Sequence, residues 1–283
     1  MHTKLIALIL LFAATPYFLL AKGNKITKIV IDAGHGGSDN GARGAISNEK
    51  DITLAVTKKL GKIFADSMKN VQIIYTRTTD DYLSGKPGLR LRHEIANKAN
   101  ADLFVVIHVN STPFTYTKVL EGYKTVKRHH KTVKQPIYRS IRHHETKRSG
   151  VETYVLGLRR NSQKENAIGE FSDNVTNQPG LLDEQDPQTA IIIAQYSQAF
   201  LNKSIQLGTK IQAAFADEGR PDLGVKQMDL EVLAGSAMPG VLVEIGFITN
   251  TAEEAYLNSE KGQQEVAMAI YKGIKAYKNE VEK

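Results

Sequence analysis

The sequence predicts an α/β fold: a single domain with a mostly parallel or mixed central sheet, helices on both faces, and a catalytic site at the carboxyl ends of the strands. Three observations predict it. From Lys25 onward, short apolar runs alternate with stretches of helical periodicity, the pattern of strands crossed by helices. The runs 102–109 and 241–248 are apolar at both alternating sets of positions, so both faces of those strands must be covered. No internal repeat and no Pro- or Ser-rich linker divides the 283 residues, a length that suits one sizeable domain.

The first residues stand apart. A weakly basic start, His2 and Lys4, leads into the apolar run Leu5 to Ala14, which resumes from Tyr17 to Ala21 after Pro16. That run is too short and too interrupted for a comfortable membrane span, so 1–21 is expected to be a secretory signal cleaved after Ala21, with an uncleaved anchor as the alternative. Export to the periplasm or beyond is the expected localisation. The chain contains no cysteine, which removes disulfides, a lipid-modified cysteine and thiolate metal ligands at once.

The domain is expected over 25–280. A strand at 25–32, with Ile26, Ile29, Val30 and Ile31, runs into the glycine-rich loop Ala33-Gly34-His35-Gly36-Gly37. Ile52, Val56, Leu60, Ile63 and Phe64 then recur at helical spacing, with Asp51 near the start where a carboxylate favours the dipole. A strand at 71–76, a helix at 89–100 and the apolar strand 102–109 follow, then a strand at 151–156 and a long helix at 189–216. The apolar strand 241–248 and an amphipathic helix carrying Val266, Ile270, Ile274 and Tyr277 close the chain. Two excursions interrupt this order, a basic insertion at 113–148 and a polar stretch at 157–188.

The formal charge of +7 is concentrated in the first excursion: between Lys118 and Arg148 stand ten Lys or Arg against Glu121 and Glu145, which leaves the rest of the chain close to neutral. Basic character confined to one segment argues against a nucleic-acid binder. No helical or alternating apolar pattern persists through that segment, so a mobile surface loop is expected there. Standing beside the strand ends, residues 118–148 would serve as an electrostatic clamp for an anionic envelope polymer, whether through its carboxylates or through lipid phosphates.

Catalytic groups in open α/β sheets collect at the carboxyl ends of strands. His35 follows the first strand in a loop of glycines, and His108 ends the strand Val106-Ile107-His108-Val109-Asn110. Glu244 lies inside Val241-Leu-Val-Glu-Ile-Gly-Phe247, where a carboxylate among Val and Ile is costly unless paired or metal-bound. Glu49 stands just before the first helix. Singly, each has a bland reading as a loop, core or solvated residue; their convergence at one sheet edge carries the weight. Two neutral imidazoles and one carboxylate are a catalytic zinc set, with a second carboxylate free to move protons, a role that suits Glu244. There is no H-E-x-x-H helix. At this level the reading is a zinc hydrolase of open substrate.

The run Ile29-Val-Ile-Asp-Ala-Gly-His-Gly-Gly37, with Asp39-Asn-Gly-Ala42 and Glu49-Lys50, resembles the opening signature of the zinc-dependent amidase-3 family of N-acetylmuramoyl-L-alanine amidases. The similarity continues through Tyr75-Thr-Arg77, Ala101 to His108, Gly150-Val-Glu-Thr-Tyr-Val155, Gly224-Val-Lys-Gln227 and Met238 to Asn250. It implies a Zn2+ cofactor, with ligands at His35, Glu49 and His108 and a catalytic glutamate at Glu244. It implies peptidoglycan as substrate, cut between N-acetylmuramic acid and L-alanine. It further suggests substrate contacts at Arg92 and Gln227, a regulatory role for 157–188 in which Glu165 closes the site, and an activator protein. The sequence departs from the family in His108-Val-Asn-Ser111 and in the length and charge of the link to Gly150. A zinc peptidase of stem peptides and a non-catalytic peptidoglycan-binding module remain the alternatives.

Overall fold

The computed structural model describes residues 25–83, 85–113, 115–128, 131–143, 146–176 and 186–283; the expected leader at 1–21 lies outside them. Strand β1 (Lys28–Ala33) is followed by helix α1 (Glu49–Ser67), β2 (Gln72–Tyr75), α2 (Gly85–Lys98) and β3 (Leu103–Asn110). Next come β4 (Thr115–Arg128), β5 (Lys131–His143) and β6 (Val151–Leu156). A single 3-10 turn leads to α3 (Asn161–Thr176), α4 (Pro187–Asp217), β7 (Asp222–Met228), the short α5 (Glu231–Ala234) and β8 (Gly240–Phe247). Helices α6 (Thr251–Asn258) and α7 (Glu260–Val281) end the chain.

Six strands form the central sheet in the order β2-β1-β3-β8-β6-β7. β2, β1, β3 and β8 run parallel, whereas β6 pairs antiparallel with β8 and parallel with β7. The sheet is therefore mixed, and the start of β6 shares an edge with the ends of β1, β3 and β8. Alternation decides what each face meets. Ile29, Ile31, Val105, Ile107 and Val243 join the core with α1, α4 and α7; Val30, Phe104, Val106 and Leu242 join that with α2 and α5. Side-chain caps fix where helices begin: Asp186 accepts from Thr189 N ahead of Pro187, Asn250 accepts from Ala252 N and Glu253 N, and Ser259 accepts from Gly262 N. Among the described residues no helix is long and apolar enough to cross a membrane.

Two expectations change. β7 joins the sheet as an edge strand that its mixed, half-exposed sequence did not announce. The larger correction concerns 113–148, expected as a mobile loop. Its described residues form an antiparallel hairpin, β4 on β5, with thirteen register pairs from Thr115↔His143 to Arg128↔Lys131. Cross-strand pairs such as Val126↔Val133, Leu120↔Tyr138 and Thr117↔Ile141 supply the β-branched and aromatic contacts that hold such a ladder. No one-sided apolar period marks the sequence because neither face of the hairpin is buried.

The second excursion carries a buried charge. Lys164 on α3 is 5% exposed and donates to Ser236 Oγ at 3.0 Å and Met238 O at 2.7 Å, with its amine 5.8 Å from the Phe200 ring centre. Burial pushes its pKa down from 10.5 to about 7. Between those values the unfolded chain binds more protons at this site than the folded one, so stability rises with pH across the window. The burial penalty is fully present below pH 7. The urea midpoint of the wild-type protein should therefore climb more between about pH 7 and pH 10 than that of Lys164→Met. Parallel pH profiles for the two proteins would show that Lys164 is not the source.

Candidate metal centre

The site begins with backbone geometry at the end of β1. His35 has φ +60°, a left-handed conformation that costs a non-glycine residue unless its surroundings enforce it. Two buried arginines enforce it. Arg77 donates Nε to Ala33 O at 2.9 Å and Nη2 to Gly34 O at 2.9 Å. Arg92, on α2, donates Nη1 to Ala33 O at 2.8 Å, Nη2 to His35 O at 2.7 Å and Nε to Leu83 O at 2.9 Å. Arg92 also pairs with the fully buried Asp32. The expectation that Arg92 meets substrate is corrected by its place: it is 2% exposed, beneath the loop, with its donors spent on backbone carbonyls and Asp32.

The structure brings three of the sequence candidates together. His35, Glu49 and His108 each offer a ligand atom, all within 4.8 Å of one another. His35 Nε2 stands 3.1 Å from Glu49 Oε2, and His108 Nδ1 stands 2.8 Å from Glu49 Oε1. Glu49, the first residue of α1, is held by peptide donors too, Val109 N to Oε1 at 2.9 Å and Ala42 N to Oε2 at 2.7 Å. Two glycines let these groups approach. A methyl on Gly34 would stand 2.4 Å from His108 Nε2; one on Gly41, at φ +64°, would stand 2.6 Å from Glu49 Oε2.

The charges follow from the packing. Burial of Glu49 works to raise its pKa, but hydrogen bonds from His108 and His35 reverse this and hold the carboxylate well below its usual range. Burial of His108 opposes its charge, yet Glu49 overrides that and lifts its pKa to about 9; His35 is raised for the same reason. On its far side His35 Nδ1 meets Asp39 Oδ2 at 2.8 Å, which orients the ring with Nε2 toward Glu49. Sequence reasoning assigned Asp39 no role, though its place four residues after His35 was a signal.

Glu244 on β8 stands in register with His108 on β3. Its Oε2 is shielded from water and has no hydrogen-bond partner. Burial pushes its pKa up to about 7, with His108 acting against the shift and Glu49 and Glu152 adding to it. Glu152, a second group the sequence reading passed over, lies opposite Glu244 at the start of β6. It is 1% exposed and neutralised by Arg148 (2.6 Å) and Lys226 (2.8 Å), with further bonds from Asn110 and Tyr154.

The two remaining candidates are not brought to this cluster. Gln227 pairs with Val155 and is carried down the sheet from Glu244, because β6 runs antiparallel to β8 and Glu244 is level with Glu152. Three residues of strand correspond to about 10 Å, and β7 is the sheet's outer strand, so Gln227 stands apart from the level of Glu244 and His108. Glu165 is half-buried on α3 and is not one of the three residues of the metal-competent group.

Comparison with known proteins bears on this centre. The amidase-3 family pattern, N-acetylmuramoyl-L-alanine amidase, matches residues 29–276, which include all four clustered residues. The chain belongs to this amidase family. It is 30% identical over 252 residues to the N-acetylmuramoyl-L-alanine amidase AmiC of Escherichia coli, an alignment covering 88% of this chain and 52% of that protein. It is also 30% identical over 249 residues to the uncharacterised protein YqiI of Bacillus subtilis, covering 88% of this chain and 84% of that one. The chain thus spans about half the length of the first relative and most of the second. Among solved structures, the CwlD amidase of Clostridioides difficile in complex with the GerS lipoprotein superposes with a TM-score of 0.58 at 25% identity, covering 89% of this chain and 98% of that one.

In this amidase-family domain the arginine clamp gives a direct expectation. Arg92→Ala strands the buried Asp32 carboxylate and frees the His35 loop, so it should cost about 3–5 kcal/mol, read as a lower urea midpoint. Arg92→Lys keeps the charge but not the planar fork and should recover only part of the loss. Wild-type stability in Arg92→Ala would refute the clamp.

Proposed function

We propose that the protein is a zinc-dependent amidase of the cell envelope, hydrolysing the amide between the lactyl group of N-acetylmuramic acid and L-alanine in peptidoglycan. The observation that carries this reading is the pairing of a His-Glu-His cluster with a second, half-buried carboxylate, Glu244, whose Oε2 is shielded from water and has no partner. The donor set fits zinc: imidazole and carboxylate groups, three in number, with no fourth protein ligand among the described residues to close the site as a structural one would be closed. His35, Glu49 and His108 would hold the ion, and Asp39 would fix the His35 tautomer. Zinc supplies a Lewis acid that polarises a carbonyl and lowers the pKa of water.

The rest of the work falls to the chain's own groups. Glu244, raised toward neutrality, accepts a proton from the attacking water and delivers it to the departing L-alanine nitrogen. Its rigid strand holds it level with His108 at the mouth of the cluster. Glu152 beside it is kept ionised by Arg148 and Lys226, so the proton in transit stays on Glu244. Peptidoglycan as substrate places the protein outside the cytoplasm, in keeping with the leader read at 1–21. The GerS complex of the C. difficile relative supports an activator partner here as well.

Glu244→Gln should retain zinc and lose two to four orders of magnitude in rate on purified sacculi, about the worth of positioned acid–base catalysis. His35→Ala and His108→Ala should lose both zinc and activity. New free lactyl carboxyls on an otherwise uncut glycan, together with free N-terminal L-alanine, identify the amidase; cleavage within the stem peptide would instead make it a peptidase, and no cleavage a binding module. Zinc affinity, read by chelator competition, should fall on acidification, and the fall should begin above the ordinary histidine range because His35 and His108 both hold protons more tightly than free imidazole. Asp39→Ala should weaken zinc binding roughly 10–100-fold while leaving the fold intact.

A further inference from the structure

The basic hairpin is a surface with no partner in the fold. β4 and β5 pack on each other and on no other element to any extent. With 13 residues in β5, each strand spans about 45 Å. An isolated two-stranded ribbon is marginal in water, and this one leaves both faces and both outer edges open. Its feet are fixed at the catalytic edge: Thr112 N donates to Thr249 Oγ1 and Thr146 N to Thr249 O, just beyond the strand that carries Glu244.

Its composition is two-fold. Between Thr115 and His143 stand eight Lys or Arg against one Glu, as large a surplus as the formal charge of the whole chain. The same hairpin holds seven of the fourteen exposed large hydrophobic side chains among the described residues, so apolar exposure is concentrated there as well. The register sets Tyr116, Leu120, Tyr123 and Tyr138 on one face with Lys118, Lys127 and Lys134. Val119, Val133 and Ile137 share the other with Lys124, Lys131 and Arg139.

A polyanionic glycan or stem peptide would answer the cations but leave the apolar half wet, because its surface is hydroxyl, amide and carboxylate. A folded protein partner would cover one face and leave the other as it is. A headgroup layer surrounds what dips into it, offering phosphate to Lys and Arg and an apolar boundary to Tyr, Val and Leu on both faces. We propose that the β4–β5 hairpin is a membrane-surface arm that docks the catalytic domain on anionic phospholipid. Each cation near such a surface contributes about 1 kcal/mol, a five-fold change in partition, and the attraction decays within a Debye length.

The chain contains no tryptophan, so Tyr123→Trp places a single reporter on the arm, independent of whatever the N-terminal segment does. The full-chain reporter protein is titrated with vesicles of phosphatidylglycerol and phosphatidylcholine in equal parts, with phosphatidylcholine alone, and with solubilised sacculus fragments. The expected result is a blue shift with the anionic vesicles alone, reversed by high salt. Lys127→Gln and Lys134→Gln should each weaken the partition about five-fold, and Leu120→Ser with Tyr138→Ser should weaken it further. Hydrolysis of a small soluble muropeptide should be unchanged in all of them, which also verifies folding independently of the vesicle signal. A shift with sacculus fragments and not with vesicles would overturn the proposal in favour of a polymer clamp. An equal shift with neutral vesicles, or no shift with any, would overturn it too.

Discussion

Three consecutive peptide carbonyls, those of Ala33, Gly34 and His35, leave the end of β1 where the chain turns into a left-handed residue. Arg77 and Arg92 supply the donors that make this turn tolerable, and Asp32 holds Arg92 in place from the strand itself. The consequences spread outward. With the loop fixed, His35 faces Glu49, Gly34 admits the His108 ring, and Gly41 admits the Glu49 carboxylate. A desolvated ion pair of this kind is poor evidence for stability as such. Here it sets geometry: the guanidinium forks fix positions that a looser cation would leave to chance.

Two carboxylates near one another, one buried and one half-buried, meet opposite fates. Glu49 receives two imidazoles and two peptide N–H groups, and stays ionised. Glu244 receives nothing at Oε2 and is pushed toward protonation. The contrast arises from the backbone around each: Glu49 reaches the Ala42 peptide in the loop and the Val109 peptide at the register shift between β3 and β8, whereas Glu244 projects from the regularly paired part of a central strand. One carboxylate is thereby suited to binding and the other to carrying a proton.

The four central residues were legible because each sits where the polymer announces itself. His35 follows a run of glycines, His108 and Glu244 interrupt strands of Val and Ile, and Glu49 stands at the onset of a clear helical period. What was not legible depends on register and on which face a helix presents. Arg92 reads as one more cation on a polar helix until the packing of α2 shows it reaching under the loop. Gln227 shares a familiar motif, yet the antiparallel turn of β6 sets it far down the sheet from Glu244. Asp39 stands only four residues from the imidazole it orients, a spacing that carries a signal once His35 is taken as a ligand, whereas Glu152 meets Glu244 across strands, where spacing along the chain carries none. The hairpin hid for a different reason: with both faces solvated, nothing selects a single apolar alternation.

The two feet of that hairpin leave and re-enter the domain within reach of one residue, Thr249. Such closely spaced ends make the insertion a module. The central sheet closes between β3, β8 and β6 without any pairing from β4 or β5, so the arm's length, charge and apolar content are free to change without disturbing the strands that hold His108 and Glu244. The same junction could accept a foreign hairpin in its place, making it a graft point at which the domain's address can be rewritten while its chemistry is left alone.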